Sequence, residues 1–106
     1  MPKFLVVASY SPQGLEGVMR SGGSARRDAV SKAIVDLGGT MESFHFAFGD
    51  GDAYVVVDLP DNVAAAALGM AVSSTGMAST RTVVLLTPEE IDRATRTEVH
   101  YQPPGS

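Results

Sequence analysis

The sequence predicts an α+β fold, in which one four-stranded antiparallel sheet carries helices on one face. Segments with strand and helix patterns follow each other in the order strand, helix, strand, strand, helix, strand. The chain has 106 residues, of which 44% are hydrophobic and 19% are charged. This length and composition provide the core of one domain and exclude two full domains.

The first strand and the first two helical segments are predicted from apolar patterning and helix-terminal residues. Residues 3–10 are apolar on both alternating faces, as in a central strand that is covered on each side. Ser11 can cap the helix that follows, and the glycines at 22–23 interrupt this helix as a turn or a kink. Ser24 can cap the second segment, which the glycines at 38–39 end.

A hairpin is predicted where an alternating segment, residues 40–48, meets a Val-rich strand at 53–59. Asp50-Gly51 is a favoured two-residue turn between such strands. This turn predicts three pairs on one apolar face: Phe48 with Ala53, Phe46 with Val55, and Phe44 with Val57. The opposite, mixed face then pairs Ala47 with Tyr54, His45 with Val56, and Ser43 with Asp58.

The remaining segments complete the pattern. Asp61 can cap an Ala-rich helix, residues 80–86 predict the fourth strand, and Thr87 begins a capping box for a short helix. The order of elements fits a ferredoxin-like βαββαβ domain over residues 1–94. Residues 95–106 have no helical or strand period, so we expect a tail that is either mobile or packed on a partner subunit.

The sheet face without helices is expected to need a cover. Tyr54, Val56 and one face of the first strand would otherwise leave a large apolar surface in water. Pairing of two such faces in a homodimer or a higher oligomer would bury this surface, so we expect the chain to associate with itself.

Three segments of the chain resemble the GYD-domain proteins. They are residues 8–14 (ASYSPQG), residues 49–52 (GDGD) and residues 58–62 (DLPDN). The resemblance spans roughly residues 3 to 94. It implies a small ferredoxin-like domain, similar to dimeric α/β-barrel proteins, and it implies no established reaction. The family is named for a Gly-Tyr-Asp turn, and this chain has Gly51 where the tyrosine is expected.

Composition excludes several classes of function. Without cysteine, the chain has no disulfides, thiolate nucleophiles or cysteine-ligated metal sites, which fits a reducing cytoplasm. Twelve acidic and eight basic residues give a net charge of -4, which argues against nucleic-acid binding. We see neither a signal-peptide pattern nor an apolar run long enough to span a bilayer, and therefore expect a cytoplasmic protein without a membrane partner.

His45 is the main candidate for chemistry. In the predicted hairpin it lies on the mixed face near Ser43, Tyr54 and Asp58, and a neutral imidazole can transfer protons. These residues could bind or convert a ligand. The alternative is a histidine whose hydrogen bonds are satisfied at a subunit interface.

Tyr10, Tyr54 and Arg81 are further ligand-binding candidates. Tyr10 ends the first strand, where its hydroxyl could position a polar ligand or act with His45 in catalysis. Arg81 could neutralise an anionic ligand. The alternatives are aromatic packing for the two tyrosines and a solvated position for the arginine.

An anion site and a metal site are weaker hypotheses. Ser24, Arg26 and Arg27 follow the glycine pair and could hold a phosphate or carboxylate, but an ordinary helix junction with solvated arginines is the favoured interpretation. A metal would need His45, His100 from a partner's tail and an acid such as Asp58, and their sequence spacing forms no ligand motif. We therefore expect no metal and no bound cofactor.

Together these features predict a small homo-oligomeric domain with a cavity beside the sheet, lined by His45, Tyr10, Tyr54 and Arg81. The cavity would bind a small organic molecule, with or without converting it. The alternative is a structural or regulatory module whose mixed sheet face serves only contact with proteins.

Overall fold

The chain folds into a four-stranded antiparallel sheet whose first three helices pack on one face. The structure is a computed structural model and describes residues 1–105. In chain order the elements are β1 (Lys3–Tyr10), α1 (Pro12–Ser21), α2 (Gly23–Asp36), β2 (Thr40–Phe46), β3 (Ala53–Asp58), α3 (Asn62–Ser73), β4 (Ala78–Leu85) and α4 (Pro88–Thr95). The strand order is β2-β3-β1-β4, with every neighbouring pair antiparallel. This confirms the predicted ferredoxin-like fold class.

The core lies between the sheet and the helices. Alternate residues of the two central strands, Phe4, Val6, Val55 and Val57, pack there against buried Ile34. We call the opposite side of the sheet the open face. It carries Ser43 and His45 of β2, Tyr54, Val56 and Asp58 of β3, Leu5 and Val7 of β1, and Arg81, Val83 and Leu85 of β4.

Side-chain caps begin three of the helices at the predicted positions. Ser11 Oγ accepts the Gly14 N–H, and the Asp61 carboxylate accepts the Ala64 N–H. Thr87 begins α4 with both hydrogen bonds of a capping box. The prediction that Ser24 caps α2 is wrong, since this helix begins after Gly22 without a side-chain cap. Gly22 has a φ of 87°, so the glycine pair forms a turn between two helices.

The predicted two-residue turn at Asp50-Gly51 is wrong. The loop between β2 and β3 is longer. The structure pairs Phe46 with Ala53, His45 with Tyr54, and Phe44 with Val55, a displacement of two residues from the predicted pairs. Residues 47–52 form the loop, and Phe48 at its centre is fully exposed. Because the displacement is even, Phe44 and His45 keep the faces that the alternation predicts.

Hydrogen bonds and packing against β1 fix the conformation of this loop. The Asp52 N–H donates to the Ala8 carbonyl, and the Asp52 carboxylate accepts the Tyr10 N–H, both at 2.8 Å. Gly51 is buried against the Val7 side chain. With Gly51 and Asp52 bound to β1 in this way, Asp50-Gly51 does not form the tight turn.

Strand limits differ from the prediction by one or two residues. β2 ends two residues earlier and β3 one residue earlier, while β4 begins two residues earlier and ends one earlier. An irregularity between Met41 and Ser43 turns Met41 toward the core, on the same side as Phe44, where strict alternation had placed it opposite.

The C-terminal part extends away from the sheet. No residue of α4 is buried, and residues 96–105 contain no further helix or strand. The radius of gyration is 16.9 Å, against about 13 Å for a compact chain of this length. Ser106, the last residue of the predicted tail, lies outside the described residues. Within residues 1–105, no helix is long and apolar enough to cross a membrane.

Candidate functional site

A cleft opens between the helices on the covered side of the sheet. Its volume is about 700 Å³, with α1 on one side and α2 and α3 on the other. Polar and charged side chains from α1 and α2 line its outer part: Gln13, Glu16, Arg20, Ser21 and Arg26. The cleft is large enough for a small organic molecule.

Beneath the cleft, an apolar slot of about 200 Å³ reaches down to the sheet. Its floor is formed by β1 and β3, with residues such as Val6 and Val55, and its walls by Val30, Leu68 and Val72 of the helices. The slot is partly open to solvent at Ala29 and Ala33 and ends on buried residues of the close-packed core. The cleft and the slot adjoin each other, since both are lined by Tyr10, Arg26, Ala29, Ala33, Leu68, Val72 and Ala78.

Tyr10 and Arg26 meet where the cleft joins the slot. The Arg26 guanidinium lies 5.9 Å from the centre of the Tyr10 ring, within the range of a cation–π contact. The Arg26 Nε atom is buried and has no hydrogen-bond partner among residues 1–105. An unsatisfied buried donor costs about 1–3 kcal/mol, so a side-chain movement that brings this nitrogen to an acceptor on a ligand would be favourable.

The other candidates from the sequence lie on the open face, away from this cavity. His45, Tyr54 and Arg81 occupy one row across the sheet, with Val7 between the tyrosine and the arginine. The structure therefore brings His45 next to Tyr54 but separates both from Tyr10, which lies on the helix side. The predicted set of residues does not line a single cavity.

Asp58, at the end of the open face, is engaged by Lys3. The Lys3 Nζ donates to Asp58 Oδ1 and to Glu42 Oε1, each at 3.0 Å. These partners, Glu42 first, raise the pKa of Lys3 above its usual 10.5. Since its carboxylate is already paired, Asp58 is a structural ion-pair residue in this arrangement.

The weaker anion and metal hypotheses gain little from the geometry. Arg27 pairs with its neighbour Asp28 at 3.0 Å, and Ser24 is exposed, so neither joins Arg26 at the cavity. His100 lies in the tail within 3.4 Å of Glu98, far along the chain from His45. In the described part of the chain, no three metal-ligating side chains of these types converge.

The sequence reasoning missed the cavity itself. Ala25, Ala29 and Ala33 recur every fourth residue on α2, and all three line the cleft. Residues at this spacing share one face of a helix. Small side chains on that face leave the space that larger ones would fill, and this was the available signal.

Fold and cavity together define a small α+β domain with an unfilled space between its helices and its sheet. The family model of the GYD domain matches residues 4–95, and the chain belongs to the GYD-domain family. Comparisons with curated proteins and with solved structures gave no match. At the turn for which the family is named, a Cβ on Gly51 would collide with Val7. This backbone therefore leaves no room there for a tyrosine side chain.

Proposed function

We propose that the protein binds a small organic molecule in the cavity between its helices and its sheet. The observation that carries this proposal is an apolar slot that opens, at Tyr10 and Arg26, into a polar cleft. A space of this kind within a core reduces stability unless something fills it. The proposal covers binding. Of the catalytic candidates, Tyr10 borders the cavity and His45 does not.

Filling the cavity with a side chain tests this proposal. Ala29 lines both the cleft and the slot, whereas Ala66 is an exposed alanine on α3 that lines neither. We would titrate the chain with 4-fluorobenzyl alcohol, a neutral one-ring probe, and follow line broadening in ¹⁹F NMR. Ala29→Phe should abolish the broadening and Ala66→Phe should preserve it. Equal broadening in both variants, or none with the unmodified chain, would refute binding in this cavity.

A second function, self-association through the open face, is supported by a different observation. Leu5, Val56, Val83 and Leu85 form an apolar patch on the side of the sheet opposite the helices. We propose that two copies bury this patch against each other, since contiguous apolar surface marks association sites.

We further propose that residues 95–106 pack on the partner subunit. A cytoplasmic location belongs to the same proposal, supported by the cysteine-free sequence.

Neighbouring valines in β4 provide a matched test of self-association. Val83 lies on the open face, and Val84 points to the other side and is 58% exposed. In sedimentation equilibrium, Val83→Lys should yield monomers, whereas Val84→Lys should keep the mass of the unmodified protein. A monomeric unmodified protein at high concentration, or dissociation by both substitutions alike, would contradict the proposed interface.

A further inference from the structure

We infer that the ligand of the cavity is a small carboxylic acid with one aromatic ring or a short aliphatic chain, bound through Arg26. This inference rests on the proposed binding function and adds the chemical class of the ligand. It combines the unpaired cation at the mouth of the slot with the size and apolar walls of the slot.

Arg26 is the cation without a counter-ion at this mouth. Arginine remains charged at every physiological pH, and no carboxylate of residues 1–105 lies within ion-pair distance of Arg26. Its neighbour Arg27 is paired with Asp28. Contact with the Tyr10 ring holds the guanidinium at the cavity. A negatively charged group on the ligand would supply the missing partner.

The shape of the Arg26 guanidinium favours a carboxylate as the charged group of the ligand. A guanidinium presents Nε and a terminal nitrogen side by side, a spacing that matches the two oxygens of a carboxylate. Nε has no acceptor within residues 1–105 and is covered by protein atoms, so a carboxylate binds this edge once the Arg26 side chain turns it toward the cavity. The charged residues that line the cleft are two arginines, Arg20 and Arg26, and one acid, Glu16. Their net positive charge favours an anion.

The slot limits the rest of the ligand. Its volume is about 200 Å³, and a dry cavity of about 150 Å³ is known to hold benzene. The walls supply aliphatic side chains from the sheet and the helices, such as Val55, Leu68 and Val72, together with Phe44. One ring or a short aliphatic chain therefore fills the slot, while a larger apolar body would remain in the cleft.

The test compares a charged probe with a neutral probe of nearly the same size and shape. We would titrate 4-fluorophenylacetate and 4-fluorophenylacetamide by ¹⁹F NMR, with Arg26→Met and Arg27→Met as matched variants. The unmodified protein should bind the acid about ten-fold more tightly than the amide, because the amide lacks the negative charge and offers one acceptor oxygen where the carboxylate offers two. Arg26→Met should abolish this preference, and Arg27→Met should keep it. Arg26→Lys should retain a reduced preference, since lysine keeps the charge and loses the fork.

Several outcomes would overturn the inference. The amide could bind as tightly as the acid, or Arg26→Met could retain the preference while its circular dichroism melting curve shows a folded protein. Failure of the acid to bind, while 4-fluorobenzyl alcohol binds and Ala29→Phe blocks it, would refute the ligand class and leave the binding function standing. Failure of all three probes would refute both.

Discussion

Replacing Asp52 by alanine tests how the loop between β2 and β3 is held. The Asp52 carboxylate accepts the backbone N–H of Tyr10 at 2.8 Å, and alanine removes this acceptor. A hydrogen bond to a charged group contributes about 1.5–3 kcal/mol. Asp52 is only half-buried, so water can replace part of the interaction. We therefore expect a loss of about 1–2 kcal/mol in the free energy of unfolding.

The assay is urea unfolding followed by circular dichroism, with a melting curve as a second measurement. For a domain of this size the loss corresponds to a melting temperature lower by about 5–10 °C. Asp50→Ala is the control, because Asp50 is exposed in the same loop and its side chain makes no hydrogen bond within residues 1–105. It should change stability by less than about 0.5 kcal/mol. Asp52→Asn keeps an acceptor oxygen and should fall between them. Equal effects of Asp52→Ala and Asp50→Ala would refute this account of the loop.

Further predictions concern two separate glycines, Gly39 and Gly17, and the pH dependence of α4. A Cβ on Gly39 would collide with the Asp58 carbonyl, so Gly39→Ala should destabilise the fold by about 1–3 kcal/mol. Gly17 lies within α1 with open space around it, so Gly17→Ala should stabilise by up to about 1 kcal/mol in the same urea assay. Stabilisation by Gly39→Ala, or destabilisation by Gly17→Ala, would contradict the packing described. The Thr87 N–H donates to Glu90 and lowers the pKa of this carboxyl below its usual 4.5. The stabilisation of α4 is therefore present above pH 4.5 and is lost as the pH falls through the lowered pKa. Cα chemical shifts of α4 should show this loss, and Glu90→Gln should flatten their dependence on pH.

Much of the fold could be predicted because its determinants are local. Ser11, Asp61 and Thr87 cap helices through residues only three positions away. Alternating burial in β3 follows the period of a strand, so the faces of Val55 and Val56 could be assigned without knowing their partners.

The hairpin turn failed because distant residues decide it. Asp50-Gly51 is a strong local turn signal, but Asp52 bonds to Tyr10 and Gly51 packs on Val7, more than 40 positions away. Contacts at such separation leave no periodic trace in the sequence. Because the displacement is two residues, Ser43 and His45 still lie on the predicted face, whereas Met41 does not.

The candidate site was predictable only in part for a similar reason. Alternation along the strands placed His45 and Tyr54 on one side of the sheet, as the structure has them. The same alternation along β1 places Tyr10 on the side of the helices, which the sequence reasoning overlooked. The meeting of Tyr10 with Arg26 depends on the path of the chain through α1 and the turn at Gly22, which no local pattern specifies.

The central claim is that a small organic acid binds between the helices and the sheet. Its most direct test is a ¹H–¹⁵N NMR titration of the full chain with 4-fluorophenylacetate. The account predicts the largest amide shifts at cavity residues such as Ala29, Val72 and Ala78, and these shifts should saturate as probe is added. Shifts concentrated instead on the open face, around Val56 and Arg81, or no saturable shifts, would contradict it.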